Sequence, residues 1–120
     1  MQIGANFDPF LKRSDRGYQI LDIDTRNALK QGEYVHGDIY ADITLIEYSD
    51  LECPFCARLH NAGTINDIRE KYGDRLNFIY KHFPLAFHPD AENLSHAVEC
   101  IAAESDKDTY YKALEIVYFE

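Results

Sequence analysis

From residue 42 onward the chain alternates between two kinds of hydrophobic spacing. Ile43, Leu45 and Glu47 fall on one side of an extended segment, and Thr44, Ile46 and Tyr48 on the other, so residues 42–49 predict a strand. Apolar side chains on both faces mark it as a central strand covered on both sides, which carries Glu47 inward. The period then lengthens: Leu59, Ala62, Ile65, Ile68 and Tyr72 recur at helical spacing, predicting one helix over 53–72 that Gly73-Asp74 ends. Residues 76–83 predict a second strand, and Pro84 and Pro89 punctuate the connection after it. A strand–helix–strand unit of this length predicts a right-handed parallel crossover. Two helices follow, one with Ala91, Leu94, Val98 and Ile101 on its apolar face, the other with Tyr110, Leu114, Val117 and Tyr118.

Ahead of this unit the pattern is weaker. Residues 1–17 are polar and mixed and read as a loose arm; residues 18–23 predict a short strand, and 25–31 a short helix stopped by Gly32. His36-Gly37-Asp38 is a turn into the first long strand. The chain thus divides into an arm at 1–35, a βαβ unit at 36–89 and a helical segment at 90–120. Neither repeats nor low-complexity tracts occur.

Composition narrows the function classes. At 120 residues the chain holds one domain at most, and 46% hydrophobic with 13% aromatic residues supplies a core. A net charge of −9 argues against nucleic-acid binding and offers no basic membrane patch; it reads as a solvated surface. No run of 18 apolar residues spans a membrane. Residues 1–16 lack a basic stretch followed by an apolar one, so they do not read as a signal peptide. Either the protein is cytoplasmic or an export signal was removed. No glycine-rich phosphate loop is present, so no nucleotide cofactor is expected.

The chemistry concentrates at Cys53-Pro54-Phe55-Cys56. Two cysteines so spaced close a disulfide only where the backbone brings them together, as the start of a helix does. The third cysteine, Cys100, lies beside Val98 and Ile101 and reads as a buried, inert thiol. An odd cysteine suits a redox pair plus one remainder better than a structural disulfide framework.

Read in order, Gly37-Asp38, Ile43 through Asp50, Cys53 through Cys56, Phe83-Pro84-Leu85-Ala86-Phe87-His88-Pro89 and the alanine-rich helix with Val98-Glu99-Cys100 resemble the DsbA-like thiol–disulfide oxidoreductases of the thioredoxin superfamily. The resemblance covers roughly residues 36–120. It implies an α/β thioredoxin-like fold: the first βαβ unit and part of a helical insertion. The family's later cis-proline loop has no counterpart, because the prolines are Pro9, Pro54, Pro84 and Pro89 only. The chain therefore looks like an N-terminal half. A sheet cut there exposes an edge, so self-association is expected.

The resemblance further implies disulfide exchange with cysteine-containing client proteins and a redox partner protein, in the cell envelope or outside the cell, with the Cys53–Cys56 disulfide in place of a cofactor. Cys53 is expected to attack. Its sulfur lies at a helix start, where unpaired N–H groups and the helix dipole favour thiolate. Pro54 suits the first turn because its missing N–H has no partner there anyway. Cys56, one turn on, is expected to be the buried resolving thiol. Glu47, six residues before Cys53, matches the family's buried acid. A carboxyl desolvated there has a raised pKa and is placed to exchange protons with Cys56; an exposed edge-strand carboxylate is the alternative. Phe55 stands where the family's best-studied oxidant has histidine and offers neither donor nor charge, which predicts a more reducing pair.

Two other readings compete. The first takes Cys53, Cys56 and His60, with His82 or His88, as zinc ligands, since positions 56 and 60 share a helix face; against it stands the want of a second tight knuckle. His60 otherwise reads as an exposed helix residue, and His36, His82, His88 and His96 as surface or capping groups. The second takes the chain as a non-catalytic, self-associating fragment. The tail aromatics Tyr110, Tyr111, Tyr118 and Phe119 read as core of a helical cap.

Overall fold

The computed structural model describes residues 12–13, 19–20 and 23–119. The rest of the N-terminal arm lies outside the described residues. Lys12–Arg13 (β1) pairs antiparallel with Gln19–Ile20 (β2), within the short strand expected at 18–23. A helix at Ile23–Lys30 (α1) starts two residues before the predicted one.

The centre is a parallel pair, Ile43–Ser49 (β3) and Leu76–His82 (β4), in register from Ile43 opposite Leu76 to Ser49 opposite His82. On one face, Leu45, Glu47 and Ser49 lie beside Phe78, Tyr80 and His82. The helices Pro54–Asn61 (α2), Thr64–Tyr72 (α3), Ala91–Ala103 (α4) and Lys107–Phe119 (α5) supply the core against it: Ile65, Val98, Ala102, Tyr110, Tyr111, Leu114 and Tyr118 cluster with Phe78, Tyr80 and Leu51. On the other face the Asn77 amide donates to Asp38 O at 2.7 Å, and Lys81 pairs with Glu33 at 2.6 Å.

β3 departs from expectation. Among the described residues β4 is its only strand partner, whereas β4 gains an antiparallel bridge from His36 to Phe78 on its far side. β3 is thus an edge strand among the described residues, and Tyr48 is 43% exposed. Its apolar outer residues, read from sequence as buried on both faces, are only half covered.

The single helix expected over 53–72 is two. Gly63 adopts φ 77°, a left-handed conformation that glycine takes without steric cost, so α2 stops there. Its N–H donates back to His60 O at 3.0 Å, while its own carbonyl accepts from Asp67 N at 2.9 Å and opens α3. The apolar spacing ran on through the break because both helices pack on the same core. Gly73 ends α3 as read from sequence.

The last two helices follow their predicted faces with three exceptions. α4 buries Ala91, Ser95, Val98 and Ala102, a stripe that leaves Ile101 and Cys100 off it, so Cys100 is exposed rather than buried. α5 buries Tyr110, Tyr111 and Tyr118, but Phe119 points outward.

One side chain joins the end of β3 to the loop before α4. Asp50 is buried; its Oδ1 accepts from Glu52 N at 2.7 Å, and its Oδ2 accepts from Leu85 N and from His88 Nδ1, each at 2.8 Å. Glu52 in turn accepts from Asp90 N at 2.9 Å. Burial pushes the Asp50 carboxyl up, but the Leu85, His88 and Glu52 hydrogen bonds outweigh it, and the pKa falls below the ordinary 3.8. A carboxylate with a lowered folded-state pKa stabilises the fold fully above its unfolded value and loses that contribution as pH drops through the folded value. Asp50→Asn is therefore expected to cost about 1–3 kcal/mol at pH 7. The gap to wild type should close as pH falls below 3.8. Urea denaturation at a series of pH values measures it; a gap that stays constant down to acid would sink the assignment.

Candidate redox site

The site is built where β3 runs out. After Ser49, the turn Asp50–Glu52 reverses the chain, with Cys53 N–H donating to Asp50 O at 3.1 Å, and α2 begins. Cys53 is the N-cap, in extended conformation (φ −76°, ψ 122°), and its side chain makes no capping bond; Pro54 occupies the first turn. Its carbonyl accepts from Ala57 N at 3.0 Å, the first bond of the helix. The Cys53 sulfur thus stands at a helix start whose first N–H groups lack backbone partners.

Cys56 lies one turn further, half-buried, and both cysteines are free thiols. The Ser49 hydroxyl, the Asp50 backbone N–H and the Cys53 thiol lie near its sulfur. Burial pushes the Cys56 thiol up; the Asp50 and Ser49 hydrogen bonds pull the other way, and the neighbouring Cys53 adds to the rise. The two thiols therefore lie near each other but in unlike surroundings.

Phe55 between them is 71% exposed. The Arg58 guanidinium lies 5.4 Å from its ring centroid, one helical turn toward the C-terminus. Periodicity alone contained that signal, since positions 55 and 58 are helix neighbours.

Glu47 is carried inward and is 1% exposed, which removes the exposed-carboxylate alternative. Its partner is His60: Nε2 lies 2.7 Å from Oε2 and 3.0 Å from Oε1. His60 is consequently a nearly buried residue, not the exposed one expected. A buried carboxylate needs a hydrogen-bonded partner, and the inner face of α2 provides this one. The His60 ring stacks on Tyr118 at 4.5 Å with 13° between planes. The Tyr118 hydroxyl bonds Tyr80 and lies 3.1 Å from Ser49 Oγ, the hydroxyl that is also near Cys56. Burial pushes the Tyr80 and Tyr118 phenols well above their ordinary value, so both stay protonated donors.

The zinc arrangement is not assembled. Among the described residues no three of His, Cys, Asp and Glu converge on a metal position, and His60 directs its Nε2 to Glu47. His96 is exposed as expected, but three other histidines have partners beyond the surface roles expected for them. His88 is bonded to Asp50, His36 accepts from the Arg69 guanidinium at 2.7 Å, and His82 lies 3.1 Å from Glu99. Sequence spacing could not have found these pairs, which join residues 33 or more apart, His82 and Glu99 excepted.

Comparison with known proteins follows the same lines. A family model described as Thioredoxin matches residues 29–120. Among solved structures, DsbA2 of Pseudomonas aeruginosa superposes with a TM-score of 0.65 at 27% identity, covering 73% of this chain and 47% of that one. Alpha-DsbA1 of Wolbachia pipientis gives 0.64 at 26% identity, with 78% and 46% covered. BdbD from Bacillus subtilis, at 22% identity and a TM-score of 0.60, shares the fold. Among curated proteins, the Na(+)/H(+) antiporter NhaA 1 of Mycolicibacterium gilvum (strain PYR-GCK) is 41% identical over 73 residues, 60% of this chain and 12% of the antiporter. The chain spans less than half the length of DsbA2 and alpha-DsbA1, and a small part of the curated relatives it matches. With its parallel β3–β4 pair, its helix-start C-x-x-C and its helical segment, the chain belongs to the thioredoxin family and has a DsbA-like thioredoxin fold.

Proposed function

We propose that the chain exchanges disulfides with cysteine-containing client proteins through Cys53 and Cys56. The observation that carries this reading is the nearness of two thiols in unlike environments. Cys53 caps a helix start, while Cys56 is half-buried with its pKa raised by burial. Cys53 as thiolate attacks a client disulfide, its sulfur bonds one client sulfur, and the other leaves as thiolate. Cys56 then attacks Cys53, the Cys53–client bond breaks, and the client leaves reduced while the Cys53–Cys56 disulfide remains. Run backward, the same steps oxidise a client, and a second redox protein resets the pair. Glu47 is the group that exchanges a proton with Cys56 as the resolving thiol ionises. The disulfide itself serves in place of a cofactor, and Pro54 and Phe55 shape the motif around it.

The resemblance to DsbA proteins supports a place in the cell envelope or outside the cell. The antiporter relatives match over 11–13% of their length, so ion transport is not carried over to this chain. Among the described residues no helix is long and apolar enough to cross a membrane.

A titration in glutathione buffers, with alkylation and mass spectrometry at each cysteine, tests the reading. A cooperative two-electron transition confined to Cys53 and Cys56, with Cys100 unchanged, is expected. Thiols that stay reduced throughout would overturn it. The same titration on Phe55→His is expected to give a higher reduction potential, because histidine adds a donor and a positive charge beside Cys53; no change or a fall would count against that role for Phe55.

A second reading rests on the edge strand. β3 has β4 alone as strand partner among the described residues, and an unpaired edge pairs readily with another chain. We propose that the 120-residue chain self-associates along β3. Size-exclusion chromatography with light scattering is expected to show a dimer or larger species, and a clean monomer would refute the proposal.

A further inference from the structure

Glu47 has a problem that its proposed role does not solve: a carboxylate 1% exposed cannot trade protons with solvent directly. His60 stands between it and the outside. The imidazole has one nitrogen, Nε2, on the carboxylate, and the same residue lines a cavity of about 250 Å³. His36, Asn66, Arg69, Tyr111 and Glu115 also line that cavity, which is large and polar enough to hold several waters.

We infer that His60 is the positioning residue through which Glu47 exchanges protons with solvent, by way of this cavity. The inference rests on the reading of Glu47 as the proton partner of Cys56. Cys56 lies near the Ser49 hydroxyl, which accepts from the Tyr118 hydroxyl, itself bonded to Tyr80, and Glu47 stands opposite Tyr80 in register. Stacking on Tyr118 holds the imidazole plane, and the Asn61 amide, donating to Tyr118 O at 2.9 Å, ties the end of α2 to the end of α5.

The proton balance closes. As Cys56 attacks Cys53 in the mixed disulfide, the new S–S bond forms, the Cys53–client bond breaks, and the client sulfur departs with the electron pair. The Cys56 proton passes to one Glu47 oxygen as the other oxygen gives a proton to His60 Nε2, and the ring, which carries its hydrogen on Nδ1 while the pair is reduced, releases that proton to cavity water. The same path run inward restores the tautomer when Cys56 is next reduced: cavity water protonates Nδ1, and the Nε2 proton returns through Glu47 to Cys56. The charged and titratable groups facing His60 or its cavity are Glu47 from β3, Tyr80 from β4, Tyr111, Glu115 and Tyr118 from α5, Arg69 from α3, and His36 across the cavity. His36 is held neutral, its pKa lowered by burial and then by Arg69, so it does not compete for the proton.

The test follows the reaction of the reduced full chain with oxidised glutathione, using acid quench and mass spectrometry to separate formation of the Cys53–glutathione adduct from its resolution by Cys56. His60→Gln keeps an amide as hydrogen-bonding partner for Glu47 but relays no proton. It is expected to leave the first step unchanged and slow the second about tenfold, less than the roughly 10²–10⁴ of a group acting directly on the reacting atoms. In His60→Ala, free imidazole has the vacated space and the adjoining cavity to enter. It is expected to restore resolution in proportion to its neutral form. A Gln variant that resolves at the wild-type rate would overturn the inference and leave the redox reading standing. So would an Ala variant that folds, resolves slowly and ignores imidazole. Should His60→Ala fail to fold, the Gln variant decides alone. A wild-type chain that forms the adduct and never resolves it overturns the redox reading, and this inference with it.

Discussion

A carboxylate on the inward face of a strand is the constraint around which the site is arranged. Period-two alternation leaves Glu47 no choice of side once Leu45 and Ser49 face the core. An unpaired buried carboxylate costs several kcal/mol even after relaxation, about what a small domain can lose before unfolding. The helix that follows must therefore bring a hydrogen-bonding partner to it. α2 does so with His60 in its last turn, just before Gly63 ends the helix. Tyr118 then packs flat on the imidazole, and the Tyr118 hydroxyl in turn meets Ser49 beside Cys56. One buried charge thus fixes the angle of α2 on the sheet and the docking of α5, and through Ser49 the surroundings of the resolving thiol.

The two cysteines acquire different characters from this arrangement without any difference in chemistry. Cys53 stands at the rim, where the helix start offers unsatisfied N–H groups to a negative charge. Cys56 is turned toward the protein and pays desolvation, relieved in part by the Asp50 N–H and the Ser49 hydroxyl. Those two groups come from the last residue of β3 and the first beyond it, so the strand end sets the environment of the buried thiol. Asp50 does double duty: its backbone addresses Cys56, while its carboxylate clamps the loop bearing Leu85 and His88. The loop that carries exposed Phe83 and Phe87 is thereby fastened to the turn that carries the cysteines.

Much of this was legible in the residues because it depends on local spacing. The strands at 43–49 and 76–82, the helix start at Cys53, the inward Glu47 and the stop at Gly73 all follow from alternation, turn chemistry and helix geometry. What escaped depends on pairing across the chain. Nothing in C-x-x-C-x-x-x-H distinguishes a histidine facing solvent from one facing a carboxylate 13 residues earlier. The break at Gly63 was hidden because Leu59 and Ile65 pack on one core, so apolar spacing persists across a change of helix axis. Cys100 was misplaced for the opposite reason. Ile101 beside it suggested an apolar face, but the stripe that packs runs through the small residues Ala91, Ser95 and Ala102 with Val98.

The edge position of β3 follows from how a sheet divides its hydrogen bonds. β4 has neighbours on both sides, in β3 and in the bridge at His36, and its residues from Leu76 to Tyr80 are buried. β3 spends half its backbone groups on β4, and its Ile46 and Tyr48 side chains keep the apolar character of a covered strand without full cover. A sequence that reads as a central strand and a structure in which it is an edge are both accounted for if another strand belongs beside it. The same strand carries Glu47 and Ser49, so whatever pairs there bears on the site directly. It would stiffen the segment that holds the buried carboxylate and the hydroxyl against Cys56, and so link occupancy of the edge to the behaviour of the resolving thiol.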